Sequence, residues 1–412
     1  MVSLADIEGL DRADPLAGFR DEFVIPDGMV YLDGNSLGAA SRAALAAVEK
    51  ASREEWAGKL IASWNDAGWF ELPSRLGDAI GRLIGAGSGE TVVCDTVSIN
   101  IFKVMEAALA LRPERSVIVA EASSFPTDLY MLEGVRSRHP GLEIRLEGVD
   151  APRIEDLLDE NVAAVLVNHV DYRSGALRDM AALTARIHAA GALAVWDLCH
   201  SAGALVVDLN GSGADLAVGC SYKYLNGGPG APAFIFAASR HIPHLKQPLT
   251  GWWAHRKPFA FELGFEPDPG IRRMLCGTQP ILSMRALEGA MSVWERVDMA
   301  ALRAKSVALT GLFIDLVEQK CAGHGLELAT PRAGAERGSQ VSFLFEGGYA
   351  VMQELIARGV VGDFRRPNLV RFGFAPLYLS HRDVWNAAET LRDVLDEGGW
   401  RGRGADAGAL VT

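Results

Sequence analysis

The sequence predicts an α/β protein with two domains: a large one with a mostly parallel β-sheet between helices, and a smaller α+β domain at the C-terminus. In the middle of the chain, short apolar segments alternate with helical ones, a pattern typical of a parallel sheet covered on both faces. From about residue 290 onwards, longer helical segments surround a few short strands. A chain of 412 residues is also too long for one small core.

Periodicity assigns the helices and strands of the large domain. An apolar stripe at helical spacing predicts a helix over residues 41–62. A second helix is predicted over 98–112, with Ser98 as a candidate N-cap and Pro113 just beyond its end. A third is predicted over 179–190. Short apolar runs predict buried strands at 116–120, 163–170, 192–198, 216–221 and 231–237.

Three parts of the chain follow from this pattern. Residues 41–289 form the large domain, residues 290–412 form the small domain, and residues 1–40 are expected to join the small domain to the functional site. In the small domain, helices are predicted at 283–318, 347–358 and 381–396, with strands at 341–345 and 369–374. A tight turn at 227–230 is expected between the last two strands of the large domain. The tail from Arg401 is expected to be loose.

Charge and cysteine content exclude several classes of protein. A net charge of −12 argues against a nucleic-acid binder and against docking on an anionic membrane, because both need a basic surface. The five cysteines show no CxxC pairing, which favours reduced thiols. The N-terminus lacks the apolar run of a signal peptide, and no apolar stretch reaches the ~18–20 residues of a membrane span. A cytoplasmic location is therefore expected.

Lys223 is the first candidate for chemistry. Most basic residues of the chain are arginines, and Lys223 follows an apolar strand and precedes a glycine-rich turn. Burial disfavours the charged form of a lysine and frees its amine as a nucleophile, as binding an aldehyde cofactor requires. The alternative, a lysine at a strand end that simply reaches water, remains open for this residue taken alone.

A carboxylate and a histidine lie one strand away. Asp197 ends the predicted strand at 192–198, and His200 follows it. Carboxyl ends of parallel strands share one edge of a sheet, so we expect these side chains near Lys223. A buried carboxylate needs a cationic partner, which a protonated pyridine nitrogen would supply. A metal site formed by Asp197, His200 and His169 is the rival reading, but no HExxH or CxxC spacing supports it, and no metal is expected.

The start of the helix at 98–112 is a candidate anion site. The segment CDTVSINIFK places hydroxyls and unpaired N–H groups there, which favours a phosphate, although simple N-capping explains them as well. Phe125 follows the strand at 116–120, where an aromatic ring can stack on a flat heterocycle. Neither a Walker pattern nor GxGxxG is present, which disfavours a nucleotide.

Eight segments, in this order, give the chain a resemblance to the kynureninase family from about residue 10 to residue 396. They are LDGNSLG (32–38), WNDAGW (64–69), FPTD (125–128), WDLCHSAGA (196–204), SYKYLNGGPGAPAF (221–234), GWWAH (251–255), GTQPILS (277–283) and RFGFAPLY (371–378). The resemblance implies pyridoxal 5′-phosphate (PLP), fold type I of PLP enzymes, and a homodimer with shared active sites. It also implies hydrolysis of the small molecule L-kynurenine to anthranilate and L-alanine, in tryptophan degradation.

The resemblance also implies roles for individual residues. Lys223 carries the cofactor, Asp197 pairs its ring nitrogen, and Trp252 reaches its phosphate from the partner subunit. The other implied cofactor contacts are Val97, Ser98, Phe125, Asp128, Asn168, His200, Tyr222 and Thr278. Arg371 is expected to bind the substrate carboxylate through its planar fork. The other implied substrate contacts are Asn35, Ser36, Trp64 and Thr278. Tyr222, which neighbours the lysine, is the candidate general acid.

Substrate choice is expected to depend on Trp64. Tryptophan at this position is typical of bacterial family members, whereas vertebrate ones have histidine and prefer 3-hydroxykynurenine. An indole gives an apolar stacking face for an unmodified aniline ring, so L-kynurenine is the expected substrate, with 3-hydroxy-L-kynurenine also possible. The open alternative is that Trp64 only packs between domains while Ser36 and Thr278 set specificity.

Three other functions remain open alternatives. A paralogue acting on a modified kynurenine in a biosynthetic pathway would share all these motifs. A desulfurase-like lyase of fold type I would need a nucleophilic cysteine, and the LCGTQP setting of Cys276 does not match one. A regulator that binds PLP without catalysis predicts loss of Lys223, Asp197 or Arg371, and all three are present.

Overall fold

A central seven-stranded sheet and a separate four-stranded sheet organise the computed structural model, which describes residues 3–148 and 152–402. Beyond Gly402, the tail that was expected to be loose lies outside these residues. The helices are α1 (Leu4–Arg12), α2 (Arg42–Lys50), α3 (Ala57–Lys59), α4 (Ser63–Asp66), α5 (Leu72–Leu83), α6 (Val97–Leu111), α7 (Pro126–Arg138), α8 (Met180–Ala189), α9 (Ile281–Trp294), α10 (Met299–Lys320), α11 (Gly348–Ala357) and α12 (His381–Glu397). The strands are β1 (Phe23–Val24), β2 (Val30–Tyr31), β3 (Ala40–Ser41), β4 (Thr91–Val93), β5 (Val117–Glu121), β6 (Glu143–Glu147), β7 (Val162–Asn168), β8 (Leu193–Asp197), β9 (Leu216–Gly219), β10 (Phe234–Ala237), β11 (Glu327–Leu328), β12 (Gln340–Leu344), β13 (Val360–Val361), β14 (Asp363–Arg365) and β15 (Leu369–Gly373).

The large sheet is mostly parallel, as predicted. Its strand order is β4-β10-β9-β8-β7-β5-β6, and only β10 runs antiparallel to its two neighbours. All five strands predicted from apolar runs are present. The edge strand β6 was not predicted because its residues are half-buried or exposed, so it lacks a continuous apolar run.

The large sheet has a hydrophobic core on each face. Along β7, Val165 and Val167 join one cluster of buried residues, while Ala164 and Leu166 join the other. Successive side chains of a strand point to opposite faces, so the strand must be apolar at every position to fill both cores. This explains why the apolar runs identified the central strands correctly.

Two predicted helical segments are broken. The segment at 41–62 was predicted as one helix, but α2 ends at Lys50 and a π-helical turn, α3 and a 3₁₀ turn follow. Leu60 has φ +51°, which a right-handed helix does not allow. The segment at 283–318 is two helices, because Asp298 caps the start of α10 by accepting from the N–H groups of Ala300 and Ala301. The predicted tight turn at 227–230 is part of a longer loop between β9 and β10.

The four-stranded sheet brings charged side chains together. Its order is β11-β12-β15-β14, and all three pairings are antiparallel. Asp363 of β14 lies opposite Arg371 of β15. Residues directly opposite each other in neighbouring strands project from the same face of the sheet, so these two side chains meet.

The N-terminal segment joins the two sheets. Strand β2 pairs with β13 in parallel, and the N–H of Gly373 donates to the carbonyl of Leu32 at 2.6 Å. A few residues later, the N–H of Gly38 donates to the carbonyl of Tyr222 at 2.8 Å, beyond the end of β9. None of the helices in residues 3–148 and 152–402 has the length and apolar content that crossing a membrane requires.

Candidate active site

A cavity of about 210 Å³ lies where the carboxyl ends of β5, β7, β8 and β9 meet the four-stranded sheet. Ligands commonly bind at this edge of parallel sheets, because loops there diverge and leave a crevice. Of the residues predicted from the sequence, the structure places these along its wall: Asn35, Ser36, Val97, Ser98, Phe125, Asp128, Asn168, Asp197, His200, Tyr222, Lys223 and Arg371.

Some residues differ from the expected set. Thr127, Tyr172, Cys199 and Arg365 also line the cavity, and the sequence reasoning had not identified them. Thr127 belongs to the motif FPTD and Cys199 to the motif WDLCHSAGA, so membership of these motifs could have identified both as residues of the site. Among the described residues that line the cavity, Trp64, Trp252 and Thr278 are absent.

The backbone around Lys223 is tightly packed. The carbonyl of Lys223 accepts from the N–H of Asn226 at 3.0 Å, and Asn226 has φ +60°. A Cβ on Gly38 would lie 2.1 Å from the same carbonyl, so only glycine fits at that position. The side-chain Nζ of Lys223 lies 2.9 Å from Nε2 of His200. The lysine is thus held at a fixed place on the cavity wall by the N-terminal segment and its own loop.

Asp197 is buried at the end of β8. One of its oxygens accepts from the N–H of Cys199 at 2.6 Å. Burial raises the pKa of Asp197, and both this hydrogen bond and the charge of Lys223 oppose the rise. In the neighbouring strand, Asn168 pairs in register with Asp197 and donates from its amide to Glu121 at 2.9 Å and to Ser124 at 2.7 Å.

Asp128 is a second buried carboxyl group beside the first. Its exposed fraction is 2%, and among the described residues its Oδ2 has no hydrogen-bond partner. Burial and the nearby Asp197 raise the pKa of Asp128 to about 8, although Lys223 opposes the shift. The Nδ1 of His200 is likewise buried and lacks a partner in the described chain. Burial lowers the pKa of His200 well below its usual value, and the positive charge of Lys223 adds to this effect. The ring is therefore neutral.

These groups fit a flat, cationic heterocycle with a phosphate. The unpartnered atoms of Asp128 and His200 offer hydrogen-bonding capacity, and buried Asp197 offers a carboxylate to a protonated ring nitrogen. Val97 and Ser98 open α6, where the first N–H groups have no partner within the helix and favour an anion. The ring of Phe125 is partly exposed to the cavity and packs edge-on against Tyr172, with centroids 5.4 Å apart.

Arg371 lies on the opposite wall, with an exposed fraction of 1%. Its Nε donates to Asp363 at 2.7 Å, and its Nη2 donates to Asp363 at 2.5 Å and to Ser36 at 3.0 Å. Its Nη1 donates to the carbonyl of Tyr172 at 2.5 Å. Burial alone would raise the pKa of Asp363, but the pairing with Arg371 outweighs it and the pKa falls below the usual value. Asp363 is therefore ionised and fixes the guanidinium.

Three residues predicted for the site, Trp64, Trp252 and Thr278, lie outside the cavity. Trp64 packs against Trp252 and Trp253, with ring centroids 5.7 and 5.3 Å away. Trp252 and Trp253 stack on each other at 5.2 Å, and Phe259 packs on Trp252 at 6.0 Å. We call Trp64, Trp252, Trp253 and Phe259 the tryptophan cluster. Thr278 is exposed and lies just after Cys276, whose carbonyl accepts from the N–H of Trp253 at 3.2 Å.

Comparisons with known proteins agree on one family. The family model "Kynureninase C-terminal domain" matches residues 302–391. The kynureninase of Burkholderia pseudomallei (strain K96243) is 54% identical over 409 residues, which cover 98% of each chain. The kynureninase of Pseudomonas fluorescens is 52% identical over 406 residues, which cover 97% of each chain.

Solved structures with the same fold are more distant in sequence. A mutant of C-DES with glycine covalently linked to its PLP cofactor superposes with a TM-score of 0.79 at 15% identity, covering 91% of this chain and 99% of that one. The cysteine desulfurase CsdA from Escherichia coli gives a TM-score of 0.76 at 17% identity, covering 93% and 98%. At this identity the likeness establishes the fold alone, which is that of fold type I PLP enzymes.

The raised pKa of Asp128 predicts a pH-dependent stability. An unfolded aspartate titrates near 3.8 and the folded one near 8, so the stability that the protonated form contributes is complete below pH ~4 and is lost as the pH rises towards 8. In ligand-free protein, Asp128→Asn should therefore raise the free energy of unfolding by roughly 1–3 kcal/mol at pH 8, and the gain should shrink as the pH falls. Denaturant titrations at several pH values measure this.

The matched control is Asp27→Asn, since Asp27 is exposed. Its effect on unfolding should not change between pH 5 and pH 8. A loss of stability in Asp128→Asn that is equal at every pH would show that the Asp128 carboxylate is well satisfied in the folded protein.

Proposed function

The chain belongs to the kynureninase family, and from that premise we propose how its residues carry out hydrolysis of kynurenine with PLP. The reaction breaks the Cβ–Cγ bond of L-kynurenine and releases anthranilate and L-alanine. The family match extends over nearly the whole chain at 52–54% identity, whereas the desulfurases share only the fold at 15–17%. A desulfurase-like activity is therefore not favoured. The observation that carries the residue assignment is the meeting of Lys223 with two buried carboxyl groups and the buried Arg371 in one cavity.

We propose that the cavity wall binds PLP as follows. Lys223 binds the aldehyde, and Asp197 holds the proton of the ring nitrogen. Val97 and Ser98 hold the phosphate at the start of α6, with help from the Tyr222 hydroxyl. The remaining contacts to the ring and its substituents come from Phe125, Asp128, Asn168 and His200. When bound, PLP supplies an electron sink for the charge that develops on the substrate as bonds at its α and β carbons break.

Lys223 and Tyr222 move protons, and Arg371 holds the substrate. The amine of Lys223, once free, takes the α-proton, and the neutral His200 at 2.9 Å accepts a hydrogen bond from it. Burial raises the pKa of Tyr222 above its usual value, so its hydroxyl stays protonated. This hydroxyl can donate its proton at the γ-carbonyl. Arg371, with Asn35 and Ser36 beside it, holds the substrate carboxylate.

A homodimer would complete the site. Trp64, Trp252 and Thr278 lie outside the chain's own cavity, and Trp64 and Trp252 pack on each other beside exposed apolar side chains. Phe261 is 84% exposed and Leu263 is fully exposed, next to Phe259 of the tryptophan cluster. Exposed apolar side chains grouped in this way are typical of protein–protein interfaces. We propose that a second copy of the chain covers it and that each tryptophan cluster reaches its partner's cavity.

We also propose a division of the chain into three parts and a cytoplasmic location. The division into residues 1–40, 41–289 and 290–412 is supported by the two separate sheets and by the pairing of β2 with β13. A cytoplasmic location is supported by the five cysteines, all of which are free thiols.

The first test of the proposed function is Lys223→Ala. Purified wild-type protein should release anthranilate from L-kynurenine, and the variant should lose turnover by ~10³-fold or more, because no second lysine lines the cavity among the residues that the structure describes. It should also lose the visible absorbance of lysine-bound cofactor while keeping the circular dichroism of the fold. Lys50→Ala, which removes an exposed lysine, is the control and should behave like wild type. Full turnover in Lys223→Ala would reject this lysine.

A mixed dimer tests the shared sites. Lys223→Ala and Trp252→Ala should each be inactive or weakly active as homodimers. Co-expressed with different affinity tags and purified as a heterodimer, they should form one intact site of two and regain about half of wild-type turnover. A heterodimer no more active than its parents would mean that Trp252 and Lys223 serve the same subunit's site.

Substrate preference tests Trp64. The wild type should have a higher kcat/KM for L-kynurenine than for 3-hydroxy-L-kynurenine, because an indole stacks on an apolar ring and offers no partner to an added hydroxyl. Trp64→His should shift the ratio of the two kcat/KM values towards the hydroxylated substrate by ~10-fold or more. A wild type that prefers 3-hydroxykynurenine contradicts the prediction, whereas an unchanged ratio in the variant removes Trp64 as the cause.

A further inference from the structure

We infer that Arg365 is a second binding residue for the substrate carboxylate, acting beside Arg371. The inference rests on the proposed function, since it takes the ligand to be an amino acid. Arg365 was not identified from the sequence, yet it lines the same cavity as Lys223 and Arg371.

Strand register places the two arginines on one face. Asp363 lies opposite Arg371 across β14 and β15, and Arg365 is two residues further along β14. Side chains two residues apart on a strand project from the same face, so Arg365 joins Asp363 and Arg371 on the side that faces the cavity. This position is set by the sheet and not by a loop.

The two guanidinium groups are close together. The Nη2 of Arg365 pairs with Oδ2 of Asp363 at 2.6 Å, and the Nη2 of Arg371 donates to the same oxygen at 2.5 Å. Two nitrogens that share one oxygen are near enough for a single further carboxylate to bridge them. Burial and the nearby Asp363 raise the pKa of the neighbouring Asp33 to about 7, so below that pH only Asp363 offsets the two arginines, and a bound carboxylate would neutralise the positive charge that is left.

Arg371 alone has little capacity left. A guanidinium has five N–H donors, and Arg371 uses them on both oxygens of Asp363, on Ser36 and on the carbonyl of Tyr172, which leaves one N–H on Nη1. A two-pronged grip on a carboxylate therefore needs a second group. Arg365 can supply it: its side chain is 37% exposed, and its buried Nε has no hydrogen-bond partner within the described residues.

A merely structural role for Arg365 makes a different prediction. In that case Arg365 only supports β14 and does not touch the ligand, and Asp363 keeps Arg371 in place without it, so its loss would leave the preference for an acid over its amide unchanged or would weaken both ligands alike. A ligand pair that differs only at the carboxylate separates the two possibilities. L-Homophenylalanine keeps the amino acid and an aromatic ring but lacks the γ-carbonyl that is cleaved, and its carboxamide lacks the negative charge.

The experiment measures dissociation constants of both probes on the holoenzyme by calorimetry, in wild type and in Arg365→Gln. Wild type should bind the acid more tightly than the amide. In Arg365→Gln that preference should fall by ~10-fold or more, while the affinity for the amide changes little. Equal weakening of both probes, or an unchanged preference, would overturn the inference. Arg358→Gln, which removes a guanidinium that pairs with Glu354 and Glu397 elsewhere, should leave both constants unchanged.

A second variant and an activity assay separate a failure of this inference from a failure of the proposed function. Asp363 retains Arg371 in Arg365→Gln, so the variant should fold, and Arg365→Met provides a second removal of the charge to which the same criterion applies. Anthranilate release from L-kynurenine by the wild type is measured in the same preparation. Its absence would refute the proposed function, whereas an active wild type with an unchanged preference in both variants would refute the role of Arg365 alone.

Discussion

Two buried carboxyl groups, Asp128 and Asp197, share one nearby lysine, and the arrangement of the site depends on this imbalance. Without a further cation, one of the carboxyl groups stays protonated, as the raised pKa of Asp128 indicates. The sheet keeps the groups together nevertheless, because Asp197 is at the end of a fully buried strand and Asp128 is in the first turn of α7. A bound ligand with a protonated ring nitrogen relieves the imbalance. Binding of the cofactor should therefore also stabilise the fold.

The N-terminal segment makes the two walls of the cavity one unit. Leu32 bonds to the end of β15, which carries Arg371, and Gly38 bonds to Tyr222 beside Lys223. The short stretch between them contains Asn35 and Ser36, and Ser36 accepts a hydrogen bond from Arg371. A shift of this stretch would therefore move Arg371 and Lys223 together. Because Gly38 has no Cβ, this stretch can pack directly against the backbone carbonyl of Lys223.

Sequence reasoning located the parts of the site that follow from sheet topology. Asp197 and Lys223 could be placed near each other because the carboxyl ends of parallel strands share an edge, and the family motifs supplied Arg371. Periodicity could not foresee the break at Leu60, because the positive φ belongs to one residue and leaves the apolar stripe intact. It could not foresee Arg365 either, since its importance depends on the register between β14 and β15 and on a shared oxygen of Asp363. Trp64, Trp252 and Thr278 lie outside the chain's own cavity. The family resemblance implied this for Trp252, but the residue patterns gave no sign of it for Trp64 and Thr278.

The charge of the cavity explains how an acidic protein binds anionic ligands. With a net charge of −12, the chain as a whole repels a phosphate and a carboxylate. Inside the cavity, however, the charges are separated into two groups. Asp128 and Asp197 lie with Lys223 at the strand ends of the large sheet, whereas Arg365 and Arg371 project from the small sheet. Because burial weakens the screening of these charges by water, they act over the length of a small molecule and orient it. Under the proposed function, an amino-acid substrate whose carboxylate is drawn to the arginines would present its α-carbon towards Lys223.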